Sequence, residues 1–239
     1  TLVEVVENWG EGVWSLLAFS MQMALVLVCG SALAAAPIVK KGISRLAGMP
    51  KTPAGAIAFV SAISSIACWL NWGFGLIVGA ILAKEVARKL RGVDYRLLIA
   101  SAYSGFVVWH SGISGSVPLS MATAGDALTK ATNGIVTAPI ALSETIFSIY
   151  NIGIALAVIV ALVIVNALMH PKGDEVFCVD PSLLEENCTE CTKTALTPAQ
   201  KMEGSRVLTW IISLLGLSAL AIKLFVRGGG LDLNSVIML

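Results

Sequence analysis

Residues 54–83 read AGAIAFVSAISSIACWLNWGFGLIVGAILA, 30 positions without a Lys, Arg, Asp or Glu. A run this long and apolar is membrane sequence. It is broken in its second half by Asn71-Trp72-Gly73-Phe74-Gly75, where an amide and two glycines interrupt the apolar pattern. Both flanks are basic, with Lys40, Lys41, Arg45 and Lys51 before it and Lys84, Arg88, Lys89, Arg91 and Arg96 after. Lys and Arg in short loops favour the cytoplasmic side, so the stretch enters and leaves by one face. Two full crossings need about 40 residues. A re-entrant hairpin turning at 71–75 satisfies both constraints. Two short spans with an ordinary outer turn are the competing reading, since residues 54–70 alone reach about the lower limit of a crossing.

The rest of the chain fits the same class. Hydrophobic residues make up 56% of it and charged residues 13%, with a mean hydropathy of +0.85. Soluble domains average about 25% charged. A formal charge of +1 implies no nucleic-acid partner. Working outward from the hairpin, spans are expected at 14–36, 146–169 and 207–226. A broken helix is expected over 97–125, and a hydrophilic loop over 170–206. Residues 97–125 are interrupted at His110-Ser111-Gly112-Ile113-Ser114-Gly115-Ser116. The chain starts outside, where Glu4, Glu7 and Glu11 lie without a base, and the 170–206 loop is cytoplasmic. Lys223 and Arg227 at an outer end depart mildly from the charge rule. Thr1 at the start and an apolar run at Val236-Ile237-Met238-Leu239 read as the cut ends of a longer protein. Residues 1–36 lack the features of a signal peptide.

In hydrocarbon, irregular backbone persists only where protein or a water-filled cavity surrounds it. Two broken segments therefore point to a cavity, and discontinuous helices are where secondary transporters bind substrates and ions. The binding candidates are the hydroxyls, amide, imidazole and glycines near the breaks: Ser64, Ser65, Asn71, Gly73, Gly75, His110, Ser111, Ser114, Ser116 and Thr123. Neither broken segment carries a charged side chain, so an anion here is held by N–H groups, hydroxyls and half-helix dipoles. Each feature has a plainer reading beside the functional one. Gly75, Gly79 and Ala83 at four-residue spacing allow close helix packing. Trp69 and Trp72 serve as interfacial anchors if the corner lies at the surface. His110 is a proton carrier or a neutral, hydrogen-bonded histidine. Gln22 makes a helix–helix hydrogen bond, and Pro118 positions the second half-helix.

Of five cysteines, Cys29 and Cys68 lie in spans and Cys178, Cys188 and Cys191 in the 170–206 loop. The Cys188–Cys191 pair has C-x-x-C spacing, but without a second pair or a nearby histidine it is a weak metal or redox signal. Asn187-Cys188-Thr189 matches a glycosylation sequon on a loop expected to be cytoplasmic. Phosphate-binding and hydrolase motifs are absent, so the chain is not expected to be an enzyme.

Three stretches carry a family resemblance. Trp14-Ser-Leu-Leu-Ala-Phe-Ser-Met-Gln-Met-Ala-Leu, Asn71-Trp-Gly-Phe-Gly-Leu-Ile-Val-Gly-Ala and Trp109-His-Ser-Gly-Ile-Ser-Gly-Ser-Val-Pro-Leu resemble the bacterial short-chain fatty acid transporters of the AtoE type. The resemblance runs through nearly the whole chain and is weakest at 177–205. It implies an all-α integral membrane protein of which this chain is the first half, one repeat of an inverted-repeat secondary transporter. The repeat would contain a re-entrant hairpin and a discontinuous helix, with 71–75 and 110–116 adjoining at the substrate. It further implies multi-pass residence in the bacterial inner membrane and symport of small monocarboxylates such as acetoacetate or butyrate. A proton or sodium gradient would drive it, with no other cofactor and no resident metal. The missing second half is the implied partner, and a homo-oligomer is compatible with the sequence. The rivals are a carrier of a dicarboxylate, hydroxy acid or amino acid from the same superfamily, and a passive anion channel. A membrane enzyme or assembly subunit has little support.

Overall fold

A computed structural model of the chain describes residues 2–123, 129, 132–184, 202, 204–222 and 225. Among them there is no strand, and eight α-helices follow in order. They are α1 (Leu2–Ala35), α2 (Pro37–Ala47), α3 (Pro53–Leu70), α4 (Trp72–Lys89), α5 (Tyr95–Ser104), α6 (Ser116–Ala122), α7 (Ile149–Leu168) and α8 (Arg206–Ala221). A 3₁₀ helix, Gly105–Ser111, continues α5, and short 3₁₀ turns occur at Gly173–Glu175 and Pro181–Leu184. Among the described residues, three helical segments are long and apolar enough to cross a membrane: Pro53–Leu70, Tyr95–Ala122 and Ile149–Leu168. A fourth follows if Met23–Ala34 and Pro37–Ala47, bent by 71°, are taken together. The chain is a multi-pass, all-helical membrane protein.

Polar residues start most of these helices, because the first amides have no intrahelical acceptor. Thr52, Asn71, Asp94, Ser148 and Ser205 each accept a first-turn N–H on the side chain. Pro37 and Pro53 take first-turn positions, where a missing N–H costs nothing. The boundaries differ from expectation at two ends. α1 runs back to Leu2, because nothing before Pro37 breaks a helix strongly enough to stop it. α4 continues past residue 83 to Lys89, since Lys, Glu and Arg are good helix formers that carry the helix into water. Asn187, Cys188, Cys191, Lys223 and Arg227 fall outside the described residues, as do the side chains of Trp14 and Gln22.

α3 is the centre of the bundle and touches α4, α5, the 3₁₀ helix and α7. Ile57, Val60, Leu82, Val86 and Leu98 are fully buried between α3, α4 and α5. The two arms of the hairpin pack through the glycines of α4. A Cβ on Gly75 would overlap the Cys68 backbone, and one on Gly79 would lie 2.6 Å from Ser64 Oγ. The close-packing role weighed for this stripe is therefore present. α3 and α4 each have 18 residues, about 27 Å of rise. That length accommodates both a re-entrant hairpin and a pair of short crossings. By contrast α7 and α8 show their side chains outward, with only Ala155 and Asn166 of α7 buried and none of α8.

Two ties hold the basic end of the bundle together, one between helices and one between loops. Lys89 Nζ donates to the hydroxyl of Ser44 at 2.8 Å and also to its carbonyl, tying α4 to α2. Asp94, 2% exposed, joins the 90–96 loop to the 170–178 loop. Its carboxylate accepts from Leu97 N–H at 2.9 Å, Phe177 N–H at 2.8 Å and Arg96 Nη2 at 3.0 Å. Tyr95 N–H returns a bond to the Phe177 carbonyl at 2.9 Å, and the Arg96 guanidinium lies 5.1 Å over the Phe177 ring. Burial alone pushes the Asp94 carboxyl up. The Arg96 hydrogen bond, two backbone N–H groups and the Arg96 charge outweigh burial and hold the pKa at about 2. His170 accepts the Asp94 N–H on Nε2 at 3.3 Å and lies 2.7 Å from the Pro171 carbonyl through Nδ1. Both contacts are satisfied together by the Nδ1–H tautomer.

Candidate binding site

The corner between α3 and α4 is one residue long. Asn71 is extended (φ −150°, ψ 119°). It ends α3 by donating its N–H to the Ala67 carbonyl at 2.9 Å. It starts α4 by accepting the Phe74 N–H on Oδ1 at 3.1 Å and the Gly75 N–H on its carbonyl at 2.8 Å. A short amide side chain suits this position because its oxygen reaches a first-turn N–H that has no intrahelical acceptor.

The break in the next segment lies directly against this corner. Ile113 N–H donates to the Trp69 carbonyl at 2.8 Å, and Ser114 Oγ accepts the Trp72 N–H at 2.9 Å. Gly112 makes the approach geometrically feasible, since a Cβ there would overlap the Trp69 carbonyl. Gly115 is similarly confined, with its Cβ position 2.6 Å from the His110 carbonyl. α4 and α6 both begin at this junction, while α3 and the 3₁₀ helix both end there. Helix starts present N–H groups and partial positive charge, and helix ends present carbonyls and partial negative charge. The N–H groups of Trp72, Phe74 and Gly75 and the Trp69 carbonyl are paired within the junction. What the junction brings to a ligand is therefore the field of four helix ends without a charged side chain.

An aromatic wall flanks it. Trp72 meets Phe106 at 6.1 Å and Trp109 at 5.9 Å edge-on. Phe106 and Trp109 stack at 5.3 Å, and His110 lies 4.0 Å from Trp109 between ring centroids. Trp69 meets Phe147 at 6.5 Å. Trp69 and Trp72 are thus half-buried among aromatic side chains, while His110 is exposed beside Trp109.

The candidates read from sequence separate into two levels. Asn71, Gly73, His110, Ser111, Ser114 and Ser116 gather at the corner and break. Gly73 there faces α1, with its Cβ position 2.7 Å from Val26 Cγ1, while Gly75 is turned onto α3. Ser111 Oγ donates to the Val108 carbonyl at 2.8 Å, and Ser116 opens α6. Thr123 caps the far end of α6 through Leu119 O at 2.6 Å. Ser64 and Ser65 lie elsewhere: they are fully buried, about two turns and 10 Å below the corner along α3.

That deeper level contains residues the sequence reading did not single out. Asn166 of α7 donates from Nδ2 to Ser61 Oγ at 2.5 Å and to Ser104 Oγ at 2.9 Å. Each of those hydroxyls donates to the Ser101 carbonyl, at 3.4 and 2.8 Å. The four groups close a ring that ties α3, α5 and α7 together. Ser65 Oγ donates to the Ser61 carbonyl at 2.7 Å, whereas the buried hydroxyls of Ser64 and Ser101 have no partner among the described residues. Higher up, Asn151 Nδ2 donates to the Ser111 carbonyl at 2.9 Å and the Ile146 carbonyl at 2.8 Å. Two asparagines in an otherwise apolar span were the available signal. Replacing Asn166 with Leu is expected to cost about 1 kcal/mol. It should lower the thermal midpoint of the purified full-length protein, and an unchanged midpoint would remove the ring from the account.

A family model described as short chain fatty acid transporter matches residues 1–239. A protein of Haemophilus influenzae named "Putative short-chain fatty acid transporter" is 44% identical over 245 aligned positions, covering 99% of this chain and 54% of its own. An Escherichia coli K12 protein of the same name is 42% identical over 239 positions, covering 99% and 53%. The chain spans about half the length of these curated relatives. No solved structure matches it. With the match extending over every residue, the chain belongs to the short chain fatty acid transporter family.

Proposed function

We propose that the protein carries short-chain fatty acids or related small monocarboxylates, such as acetoacetate and butyrate, across the inner membrane by secondary active transport. A proton or sodium gradient drives the movement. The observation that carries this reading is the junction of Asn71 and Ser114, where two helix starts and two helix ends meet within charge-free membrane segments. A carboxylate held by N–H groups and hydroxyls is bound weakly enough to leave again, as transport requires. The helix-end carbonyls beside it are suited to a coupling cation. In this reading residues 54–83 form a re-entrant hairpin entered from the cytoplasm, and the second half of the protein supplies the rest of the site.

Vesicles containing the full-length protein are expected to accumulate labelled butyrate or acetoacetate under an ion gradient. Uptake equal to that of protein-free vesicles would contradict the substrate. Asn71→Ala and Ser114→Ala each remove one capping or bridging acceptor, worth about 1 kcal/mol. Initial rates should fall about fivefold while the protein is still made. Wild-type rates in both would remove the junction from the mechanism. Competition by dicarboxylates or hydroxy acids would change the cargo, and currents that follow only the anion's own gradient would make the protein a channel.

A further inference from the structure

An apolar groove of about 190 Å³ lies between α3 and α7, beside the corner. Ile66 and Trp69 line it from α3, and Ile152, Ala155, Leu156 and Ile159 from α7. The α7 residues fall at i, i+3, i+4 and i+7, one helix face about 10 Å long. Ala155 is the smallest of the six and is buried, while Ile66, Ile152 and Leu156 are exposed.

Both walls of the groove are fastened to the break. Trp69 accepts the Ile113 N–H on its carbonyl at 2.8 Å and packs with Ile113 against the buried Leu119 and Ile146. Asn151, next to Ile152, donates from Nδ2 to the Ser111 carbonyl at 2.9 Å. Trp69 therefore belongs both to the junction and to the groove. The lining is five aliphatic side chains and one indole, without a charge. Such a surface takes hydrocarbon and leaves a carboxylate outside. An apolar cavity of about 150 Å³ holds benzene, with its six carbons. A groove of about 190 Å³ is thus on the scale of a tail of a few carbons.

We propose that this groove receives the hydrocarbon tail of the transported carboxylate and sets the chain length that the protein accepts. The proposal rests on the junction as the site of the carboxylate itself. Two observations select this occupant over the acyl chain of a membrane lipid. Trp69 joins the groove to the junction, and the volume matches a short tail rather than a long one. Each methylene buried there favours binding about fourfold.

Uptake of acetate, butyrate and hexanoate tests it, measured in vesicles containing the full-length protein and corrected for protein-free vesicles. Ala155→Leu fills the groove and should lower the ratio of butyrate to acetate uptake about tenfold. Ile159→Ala widens it and should raise the ratio of hexanoate to butyrate uptake about tenfold. Poor folding lowers all three acids together, so it does not move the ratios. If Ala155→Leu fails to fold, Ile159→Ala decides alone. Leu168 lies on α7 outside the groove and is 80% exposed, so Leu168→Ala should leave both ratios at the parent values. Normal uptake with parent ratios in both groove variants would overturn the proposal and give the groove to lipid. Equal shifts in Leu168→Ala would overturn it as well. No uptake of any of the acids by the parent would overturn the carboxylate reading of the junction and this proposal with it.

Discussion

Gly112→Ala is expected to abolish uptake and to cost about 3 kcal/mol of stability. A single methyl is enough because Gly112 sits against backbone. Its Cβ would overlap the Trp69 carbonyl oxygen and lie 2.8 Å from both Trp69 C and Cα. None of these atoms can rotate away as a side chain would. Relief requires the break to move off the last turn of α3. That movement breaks the Ile113 N–H bond to Trp69 and the Trp72 N–H bond to Ser114, leaving two donors without their acceptors. Gly153 of α7 is the internal control, since a Cβ there meets nothing within 4 Å. Gly153→Ala should express, melt and transport like the parent. If both variants behave alike, the corner and the break are not pressed together.

The second large effect lies at the other end of the bundle. Asp94→Asn should cost about 2 kcal/mol at neutral pH, and the deficit should disappear in acid. The carboxyl is held at about 2 against an ordinary value of 3.8. A depressed carboxylate stabilises the fold fully above its unfolded pKa and loses that contribution as pH falls through the folded one. The window is therefore about pH 4 down to about pH 2. A shift of this size corresponds to about 2 kcal/mol, an upper figure because the Arg96 side chain is 66% exposed and water screens its charge. Thermal unfolding of parent and variant at pH 7, and again near the acid limit, should show a gap that closes. A gap of the same size at both pH values would mean the asparagine fails for a steric reason.

Much of the fold was legible because the decisive signals are local. Glycine, serine and asparagine interrupt apolar runs at 71–75 and 110–116, and both interruptions are helix boundaries in the structure. Lys and Arg cluster on either side of residues 54–83, on α2, the end of α4 and the loop after it, which the structure brings to one end through Lys89 and Asp94. What the sequence could not show is pairing over distance. The contact of Trp69 with Ile113 spans 44 positions, and nothing in either residue type announces it. Ser61, Ser101 and Ser104 each look like a hydroxyl bonded back within its own helix. Only the crossing of α3, α5 and α7 makes them a ring around Asn166.

The claim on which the account turns is that the corner and break face a water-filled cavity entered by the carboxylate. The direct measurement replaces His110 with Cys in a full-length protein otherwise lacking cysteine and follows its reaction with a membrane-impermeant thiol reagent. The account predicts labelling that butyrate slows in a dose-dependent way. A thiol inert from both sides of the membrane, or one that reacts at a rate butyrate does not change, would contradict it.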